Sequence, residues 1–321
     1  MTGPLTDAPA RVLVVGEALV DVVPDASGQP RDHPGGSPAN VAIALGRLDR
    51  DVRLVTLLGD DARGGAVRAW LEASGVTVLA GPTGTGRTST AAVTLDASGA
   101  ATYDFDLSWD LGPVPDEDCD VLHVGSIATV LEPGADAVLE AVRSQHGRAV
   151  VSLDPNARPA ITPDRAGPVA RVEELVALAD VVKVSDEDLH WLHPDHDPVA
   201  TAARWAGAGP GLVVVTRGGA GAAVVRHGGA VLEVPGVPVA VADTVGAGDT
   251  FSGVLLDALL DLGVRGPGGA AALRALPDRD VLGAVTTAAI GAAINVSRPG
   301  ADPPWRAELT AALGGAGAGQ G

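Results

Sequence analysis

The chain has 321 residues and a formal net charge of −18 at pH 7, and a charge of this sign repels nucleic acids and anionic membranes, so neither is expected as a partner. Hydrophobic residues make up 46% of the sequence but aromatic residues only 2%, so valine, leucine and alanine must fill a large core. Cys119 is the only cysteine, which excludes an internal disulfide and fits a reducing compartment. Because the first ten residues lack the apolar segment of a signal peptide, we expect a cytoplasmic protein.

The first third of the chain alternates strands and helices and then changes its pattern. Apolar runs and helix boundary signals predict, in chain order, a strand over residues 12–15, a helix over 38–48, a strand over 52–58 and a helix over 62–74. Residues 89–95 and 101–105 then alternate around residues 96–99, which predicts a β-hairpin. Since a hairpin interrupts the alternation, it indicates a small β lid, formed by approximately residues 17–33 and 86–110.

The alternation resumes at residue 121. It predicts strands over residues 121–124, 149–153, 181–184 and 212–216, and helices over 135–145, 169–178, 186–192 and 199–206. A hairpin over 222–225 and 230–234 and two long helices over 250–262 and 281–294 complete the prediction, with a surface loop over 266–277 and a disordered tail over 314–321. This order predicts one α/β domain over residues 11–313, whose mostly parallel central sheet is flanked by helices.

Polar residues follow several of the predicted strands. They are Asp21, Gly125 and Ser126, and the segments 154–158, 185–188 and 217–219. Because ligands bind beyond the carboxyl ends of the strands in open parallel sheets, we expect a binding site where these residues meet.

Residues 243–253 read DTVGAGDTFSG and end in a long apolar helix pattern. The backbone N–H groups of Gly246, Ala247 and Gly248 are not shielded by large side chains. At the start of a helix such groups can bind an anionic phosphate. An aspartate at position 249 has two interpretations from the residues alone. It caps the helix, or it accepts a proton from a hydroxyl that attacks the phosphorus.

The segment 243–253 closely resembles the C-terminal signature of the PfkB (ribokinase-like) carbohydrate kinases. Residues 35–42, GGSPANVA, followed by Gly46 and the pair Gly59-Asp60, resemble the second signature of that family. Within the family the chain is most similar to bacterial fructokinases, through the segments GEALVD (16–21), LHVGS (122–126), DPNARP (154–159) and KVSDE (183–187). The resemblance implies a ribokinase-like fold and the ATP-dependent phosphorylation of a monosaccharide hydroxyl, with conversion of D-fructose to D-fructose 6-phosphate as the first expectation.

The resemblance also implies a role for individual residues. Asp249 corresponds to the catalytic base, and the turn of Gly246, Ala247 and Gly248 to the anion hole. The residues implied for sugar binding are Asp21, Gly35, Gly36, Asn40 and Arg158. Those implied for ATP and its Mg²⁺ are Lys183, Asp188, Thr216, Gly218, Gly219 and Gly221, although Asp188 replaces a glutamate of the wider family. A monovalent cation, K⁺, is implied near Asp243, Val245, Asn295, Arg298 and Gly300, mainly through backbone carbonyl groups.

Two other functions remain open at this point. A 2-keto-3-deoxygluconate kinase shares the Asp-Pro-Asn-x-Arg segment and would need a second cation in its pocket, for which Arg87 is the candidate. A sugar or nucleotide sensor without catalysis belongs to a different class, which the intact turn and Asp249 disfavour. A P-loop enzyme is excluded and a dinucleotide oxidoreductase is disfavoured, because the glycine motif of each is missing. Lid strands in the family often pair across a dimer, so a homodimer is expected as well.

Overall fold

The computed structural model describes residues 10–25, 27–95 and 101–318. Over these residues the strands are, in chain order, β1 (Arg11–Val15), β2 (Leu19–Pro24), β3 (Pro30–Gly35), β4 (Asp51–Leu58), β5 (Val76–Pro82), β6 (Thr90–Leu95), β7 (Ala101–Asp106), β8 (Val121–Gly125), β9 (Val150–Asp154), β10 (Val181–Ser185), β11 (Leu212–Thr216), β12 (Ala222–Arg226) and β13 (Val231–Val234). The helices are α1 (Ser37–Arg47), α2 (Ala62–Glu72), α3 (Gly134–Gln145), α4 (Ala166–Leu178), α5 (Asp186–Leu192), α6 (Pro198–Ala208), α7 (Ala247–Asp261), α8 (Gly269–Ala275), α9 (Asp278–Val296) and α10 (Arg306–Ala318).

Nine strands form the central sheet in the order β13-β12-β11-β10-β9-β8-β1-β4-β5. All neighbouring pairs are parallel except β11–β12 and β12–β13. The strands are valine- and leucine-rich because both faces of the sheet are covered. In β1, for example, Val12 and Val14 pack under α1, α7 and α9, whereas Leu13 and Val15 pack towards α3, α4 and α6. The predicted α/β fold with a mostly parallel, helix-flanked sheet is confirmed.

A second, four-stranded sheet has the order β3-β2-β6-β7. Its strands come from the two segments that were expected to form the lid, and β2 pairs with β6 in parallel while the other two pairs are antiparallel. The predicted turn at residues 96–99 lies outside the described residues. The small sheet adjoins the central sheet at the carboxyl end of β1, since β2 follows β1 after a short turn.

The structure corrects the prediction at the C-terminal end. Residues 266–277 are not a surface loop, because they contain a short 3₁₀ turn and α8, whose Leu273 is fully buried. Their glycines and proline suggested a loop, but the alanines between them favour a helix. Helix α10 was not predicted, and it includes residues 314–318 of the tail that we expected to be disordered. Strand β5 was also missed. No helix among the described residues is long and apolar enough to cross a membrane.

Candidate active site

The parallel strands β1, β8, β9, β10 and β11 end at the same edge of the central sheet, and three connected depressions lie there. We call them the polar cavity, about 470 Å³, the apolar cleft, about 280 Å³, and the connecting groove, about 400 Å³. Gly248 lines all three. The turn at the start of α7 is therefore the point where they meet.

The polar cavity lies between the small sheet and the edge of the central sheet. Most of the residues implied for sugar binding line it, together with the turn: Asp21, Gly36, Asn40, Arg158, Gly246, Ala247, Gly248 and Asp249. Gly35 is in close contact with Asp21: a Cβ atom at Gly35 would be 2.4 Å from the Asp21 Oδ2 atom. The structure thus brings together residues that are more than 200 positions apart in the sequence.

Asp249 lies in the first turn of α7 and is almost completely buried, with 8% of its surface exposed. Its Oδ1 atom accepts a hydrogen bond from the Ser37 hydroxyl at 2.6 Å, and its Oδ2 atom accepts one from the Asn40 amide at 2.8 Å. The residue that caps α7 is Gly246, without a side-chain hydrogen bond. The interpretation of Asp249 as the helix cap is therefore wrong.

The environment of Asp249 sets its affinity for a proton. Burial raises the pKa of the Asp249 carboxyl above its usual range, and the hydrogen bonds from Ser37 and Asn40 only partly oppose this effect. A carboxylate with a raised pKa is a stronger base than one in water. It can therefore accept a proton more readily from a hydroxyl group placed in the polar cavity.

The turn before Asp249 is built for an anion. Gly246 has a φ of 72°, which favours glycine, and a Cβ atom there would lie 2.6 Å from the Ala301 Cβ atom. A Cβ atom at Gly248 would lie 2.7 Å from the Lys183 Nζ atom. The Lys183 ammonium therefore lies beside the N-terminal turn of α7, and its charge together with the partial positive charge of that helix end suits a phosphate.

Lys183 is buried and forms an ion pair with Asp154, with 3.0 Å between the Nζ and Oδ2 atoms. Burial lowers the pKa of the Lys183 ammonium, but the nearby carboxylates of Asp154 and Asp188 raise it more, so the net direction is upward. The lysine therefore keeps its positive charge at neutral pH despite its burial.

Asp188, which the resemblance implies near ATP and its Mg²⁺, binds backbone groups beside the connecting groove. Its Oδ1 atom accepts the Ala157 N–H at 2.9 Å, and its Oδ2 atom accepts the Ser185 N–H at 3.2 Å. The Ser185 hydroxyl in turn accepts the Asp188 N–H, which completes a capping box at the start of α5. Asp188 lines the connecting groove, but its direct contacts hold the loop that carries Arg158.

Glu17 lines the polar cavity, although no role was predicted for it from the sequence. Only 6% of its surface is exposed, and burial raises the pKa of its carboxyl to about 7. Its Oε2 atom accepts the Ala128 N–H at 3.2 Å. An acid directly after a buried strand was the available signal, and it was noticed for Asp21 but not for Glu17.

The apolar cleft opens on the other side of the turn. Four residues expected at the nucleotide line it, namely Thr216, Gly218, Gly219 and Gly221. Ala247 and Gly248 of the turn line it as well, and ten further lining residues were missed: Gly236, Val237, Val239, Val241, Thr244, Phe251, and Ala289, Ala292, Ala293 and Val296 of α9. Small residues along α9 had suggested only a buried helix, whereas they leave room for a flat apolar group.

The residues implied for a monovalent cation lie together beside the turn. Asp243 accepts the N–H groups of Val245 at 3.0 Å and Gly300 at 2.8 Å, and these hydrogen bonds lower the pKa of its carboxyl. The Asn295 amide donates to the Val245 carbonyl at 2.8 Å. The Asn295 Oδ1 atom is buried without a hydrogen-bond partner among the described residues, as a cation ligand would be. The Arg298 side chain is instead paired with Glu308.

A divalent cation would find few protein ligands here. In the part of the chain that the structure describes, no group of three or more His, Cys, Asp or Glu side chains could hold a metal ion. Such an ion would therefore take most of its ligands from phosphate groups and water.

Comparisons with known proteins agree with this geometry. The chain matches the pfkB family of carbohydrate kinases over residues 9–308. It is 38% identical over 265 residues to a fructokinase of Rhizobium leguminosarum bv. trifolii, covering 77% of this chain and 79% of the relative. It is 37% identical over 297 residues to a fructokinase of Klebsiella pneumoniae, covering 88% and 94%.

Solved structures give the same picture. A fructokinase from Xylella fastidiosa with bound ATP superposes with a TM-score of 0.86 at 28% identity, covering 96% of this chain and 99% of that one. A fructokinase from Vibrio cholerae O395, with fructose, ADP and calcium ion bound, has a TM-score of 0.79 at 30% identity, covering 96% and 100%.

Proposed function

Because the chain belongs to the pfkB family of carbohydrate kinases, we propose that it is a fructokinase, which transfers the γ-phosphate of ATP to D-fructose and forms D-fructose 6-phosphate. One observation carries this proposal. A polar cavity and an apolar cleft meet at Gly248, and the buried carboxylate of Asp249 lies on the polar side of that point. The relatives in which the same fold is named fructokinase support the choice of sugar.

In this proposal the polar cavity holds the sugar. Asp21 offers an ionised acceptor for hydroxyl groups, and Arg158 offers donors from the loop after β9. Burial raises the pKa of the Asp21 carboxyl, whereas His33 and Arg158 oppose this effect with their charges. Gly36 is needed because a Cβ atom there would lie 2.6 Å from the Glu17 carbonyl oxygen. Asn40 serves mainly to orient Asp249.

The transfer step needs a base, a positioned acceptor and neutralised phosphate oxygens. Asp249 accepts the proton of the attacking hydroxyl, the oxygen forms a bond to the γ-phosphorus, and the bond to the β-phosphate oxygen breaks to release ADP. The amides of the Gly246–Gly248 turn and the Lys183 ammonium stabilise the charge on the phosphate. A divalent cation bound to the ATP phosphates, which we propose to be Mg²⁺, supplies further neutralisation.

The nucleotide lies in the apolar cleft. Its adenine packs against the alanines of α9 and the valines of residues 237–241, and Thr216, Gly218 and Gly219 border its sugar and phosphates. Gly221 has a φ of 92°, and a Cβ atom there would lie 2.1 Å from the Val234 carbonyl oxygen, so glycine is required to form this loop.

A 2-keto-3-deoxygluconate kinase is less well supported. Its substrate is an anion, but the polar cavity contains the three carboxyl groups of Glu17, Asp21 and Asp249. Arg158 is the only cationic side chain among the described residues that line the cavity. The candidate second cation, Arg87, is 70% exposed and pairs with Asp106 at 3.0 Å. A neutral ketose is therefore the better match for this charge distribution.

Three finer features belong to the same proposal. A monovalent cation, K⁺, binds beside Asp243, where the unpaired Asn295 Oδ1 atom supports it. The protein is cytoplasmic, and it forms a homodimer through the small sheet, whose outer strands β3 and β7 each have one unpaired edge within the described sheet.

A coupled assay of ADP release tests the proposal across ketoses, aldoses, nucleosides and 2-keto-3-deoxygluconate. We expect the highest kcat/KM with D-fructose. A strong preference for the keto acid that Arg158→Ala abolishes would contradict the choice of sugar. Absence of turnover with every compound, while ATP still binds, would favour a sensor instead.

A further inference from the structure

The carboxylate of Asp154 pairs with Lys183 and also connects the elements that surround the proposed phosphate site. Asp154 is the last residue of β9 and is 1% exposed. Its Oδ2 atom accepts hydrogen bonds from the Lys183 Nζ atom of β10 at 3.0 Å and from the Ser252 hydroxyl of α7 at 3.1 Å. Its Oδ1 atom is buried without a partner among the described residues.

Ser252 links this carboxylate to the catalytic turn. It lies three residues after Asp249 on α7, so both side chains lie on the same side of the helix, one turn apart. The same carboxylate oxygen therefore fixes both the helix that provides Asp249 and the lysine whose Nζ atom lies beside Gly248.

A free lysine side chain samples many rotamers, so its ammonium needs an external contact to remain beside the turn. We propose that Asp154 and Ser252 are positioning residues that hold the Lys183 ammonium against the Gly246–Gly248 turn, where it meets the transferred phosphate. The proposal rests on the kinase function proposed above, but not on the identity of the sugar.

The charges around Lys183 set the pH at which its ammonium loses a proton, and this pH can be measured. Asp154 on β9, Asp188 on α5 and Asp249 on α7 all raise the pKa of the Lys183 ammonium, and burial opposes them. His123 on β8 also faces this lysine, but burial lowers the pKa of its imidazole to about 3, so it is neutral. Removing the charge of Asp154 removes the largest of the charge effects that raise the pKa of Lys183. The lysine should then lose its proton at a lower pH.

The test uses Asp154→Asn and Ser252→Ala in the full chain. Calorimetry measures the affinity for a non-hydrolysable ATP analogue from pH 6 to 10, and kinetics measures kcat and both KM values. We expect Asp154→Asn to lower kcat by roughly 10- to 100-fold, with the sugar KM nearly unchanged. In the wild type the raised pKa of the Lys183 ammonium should keep it protonated, so the analogue affinity should not fall between pH 8 and 10, whereas in Asp154→Asn it should fall over this range. Ser252→Ala should act in the same direction by roughly 3- to 10-fold.

Ser152→Ala is the matched control. Ser152 is a buried residue of the same strand, two positions before Asp154, and it pairs with His123 at 3.0 Å. Its loss should affect stability but should not make the analogue affinity fall between pH 8 and 10. A folded Asp154→Asn variant whose analogue affinity does not fall over this range and whose kcat equals that of the wild type would overturn the proposal.

If Asp154→Asn does not fold, an unchanged kcat and pH profile in Ser252→Ala would overturn it as well. Analogue binding does not depend on the sugar. If Asp154→Asn shows the expected fall in analogue affinity at basic pH but the wild type phosphorylates no sugar, the proposed function fails, while the binding data still show that Asp154 maintains the charge of Lys183.

Discussion

The two halves of the active site are built in different ways. The polar cavity collects residues from the small sheet, from α1, from the segments after β1, β8 and β9, and from the turn at the start of α7. Two of its residues, Ser126 and Asn156, have φ values of 56° and 37°, which are uncommon for residues other than glycine. The apolar cleft is lined by residues 216–296 alone, mostly glycine, alanine and valine.

This difference reflects the chemistry of the two ligands. Sugar hydroxyls are distinguished by directional hydrogen bonds to buried charged groups, so the polar cavity should respond strongly to the loss of one charge. An adenine ring is held mainly by contact with apolar surface, so the apolar cleft should respond to a change of volume. The predictions below probe this contrast, beginning with the largest expected effect.

Asp249→Asn keeps the shape of the side chain and removes the proton acceptor. We expect kcat to fall by roughly 10²- to 10⁴-fold, with little change in ATP affinity. Steady-state kinetics with both substrates measures this. Asp261→Asn, at the exposed end of the same helix, should remain active. Near-normal turnover of Asp249→Asn would show that the carboxylate is not the base.

Glu17 should make the stability of the fold depend on pH. Burial raises its pKa in the folded state to about 7, above the ordinary value of 4.5. Between these two pH values the folded protein binds a proton that the unfolded chain has released, so the fold loses stability as the pH rises through this range. From pH 5 to 8 the wild type should lose about 2–3 kcal/mol relative to Glu17→Gln. Urea unfolding at both pH values measures this difference.

The other buried carboxyls with a raised pKa, Asp21, Asp180, Asp188 and Asp249, are present in both proteins, so their effects cancel in the comparison. A constant difference between the two proteins across this pH range would mean that Glu17 has the same charge in the folded and unfolded states.

Asp21→Ala removes an ionised acceptor for the sugar hydroxyls. The loss of about 1.5–3 kcal/mol should raise the sugar KM by roughly 10- to 150-fold and leave the ATP KM nearly unchanged. Asp32→Ala, on the neighbouring strand β3 and paired with Arg63 at the surface, is the control. An equal rise in both KM values would indicate that the whole site is distorted.

Ala293→Leu adds volume to the apolar cleft without changing any charge. Overpacking of about 1–2 kcal/mol should raise the ATP KM by roughly 5- to 30-fold, while the sugar KM stays constant. Thr286→Leu, on the exposed side of the same helix, should have no effect on either KM. If Ala293→Leu leaves the ATP KM unchanged, the adenine does not lie against α9.

The sequence predicted those parts of the molecule whose structure is determined by residues that are close together in the chain. Most strands of the central sheet were predictable because both faces are buried and their residues form continuous valine and leucine runs, whereas β5, whose residues are mostly half-buried or exposed, was missed. Helix α10 could not be predicted in this way. Among its residues up to position 315 only Leu309 is buried, so the helix has almost no amphipathic pattern.

The active site shows the same division. Asp249 could be identified from a contiguous motif, but its contacts with Ser37 and Asn40 join residues more than 200 positions apart. The backbone carbonyl groups near Val245 that we propose as cation ligands carry no residue-specific signal at all. The lining of the apolar cleft by α9 depends on how this helix packs against α7, and a run of alanines does not specify that.

The position of β1 in the central sheet has a consequence for how the chain folds. Val12 pairs with Val52 of β4 on one side and with Val121 of β8 on the other. During synthesis, at about 5–20 residues per second, the first edge of β1 can be covered early. Its second edge stays open until β8 leaves the ribosome, long after β4 is complete. A nascent chain in this interval exposes an unpaired valine-rich strand, which is the form most prone to pair with another copy.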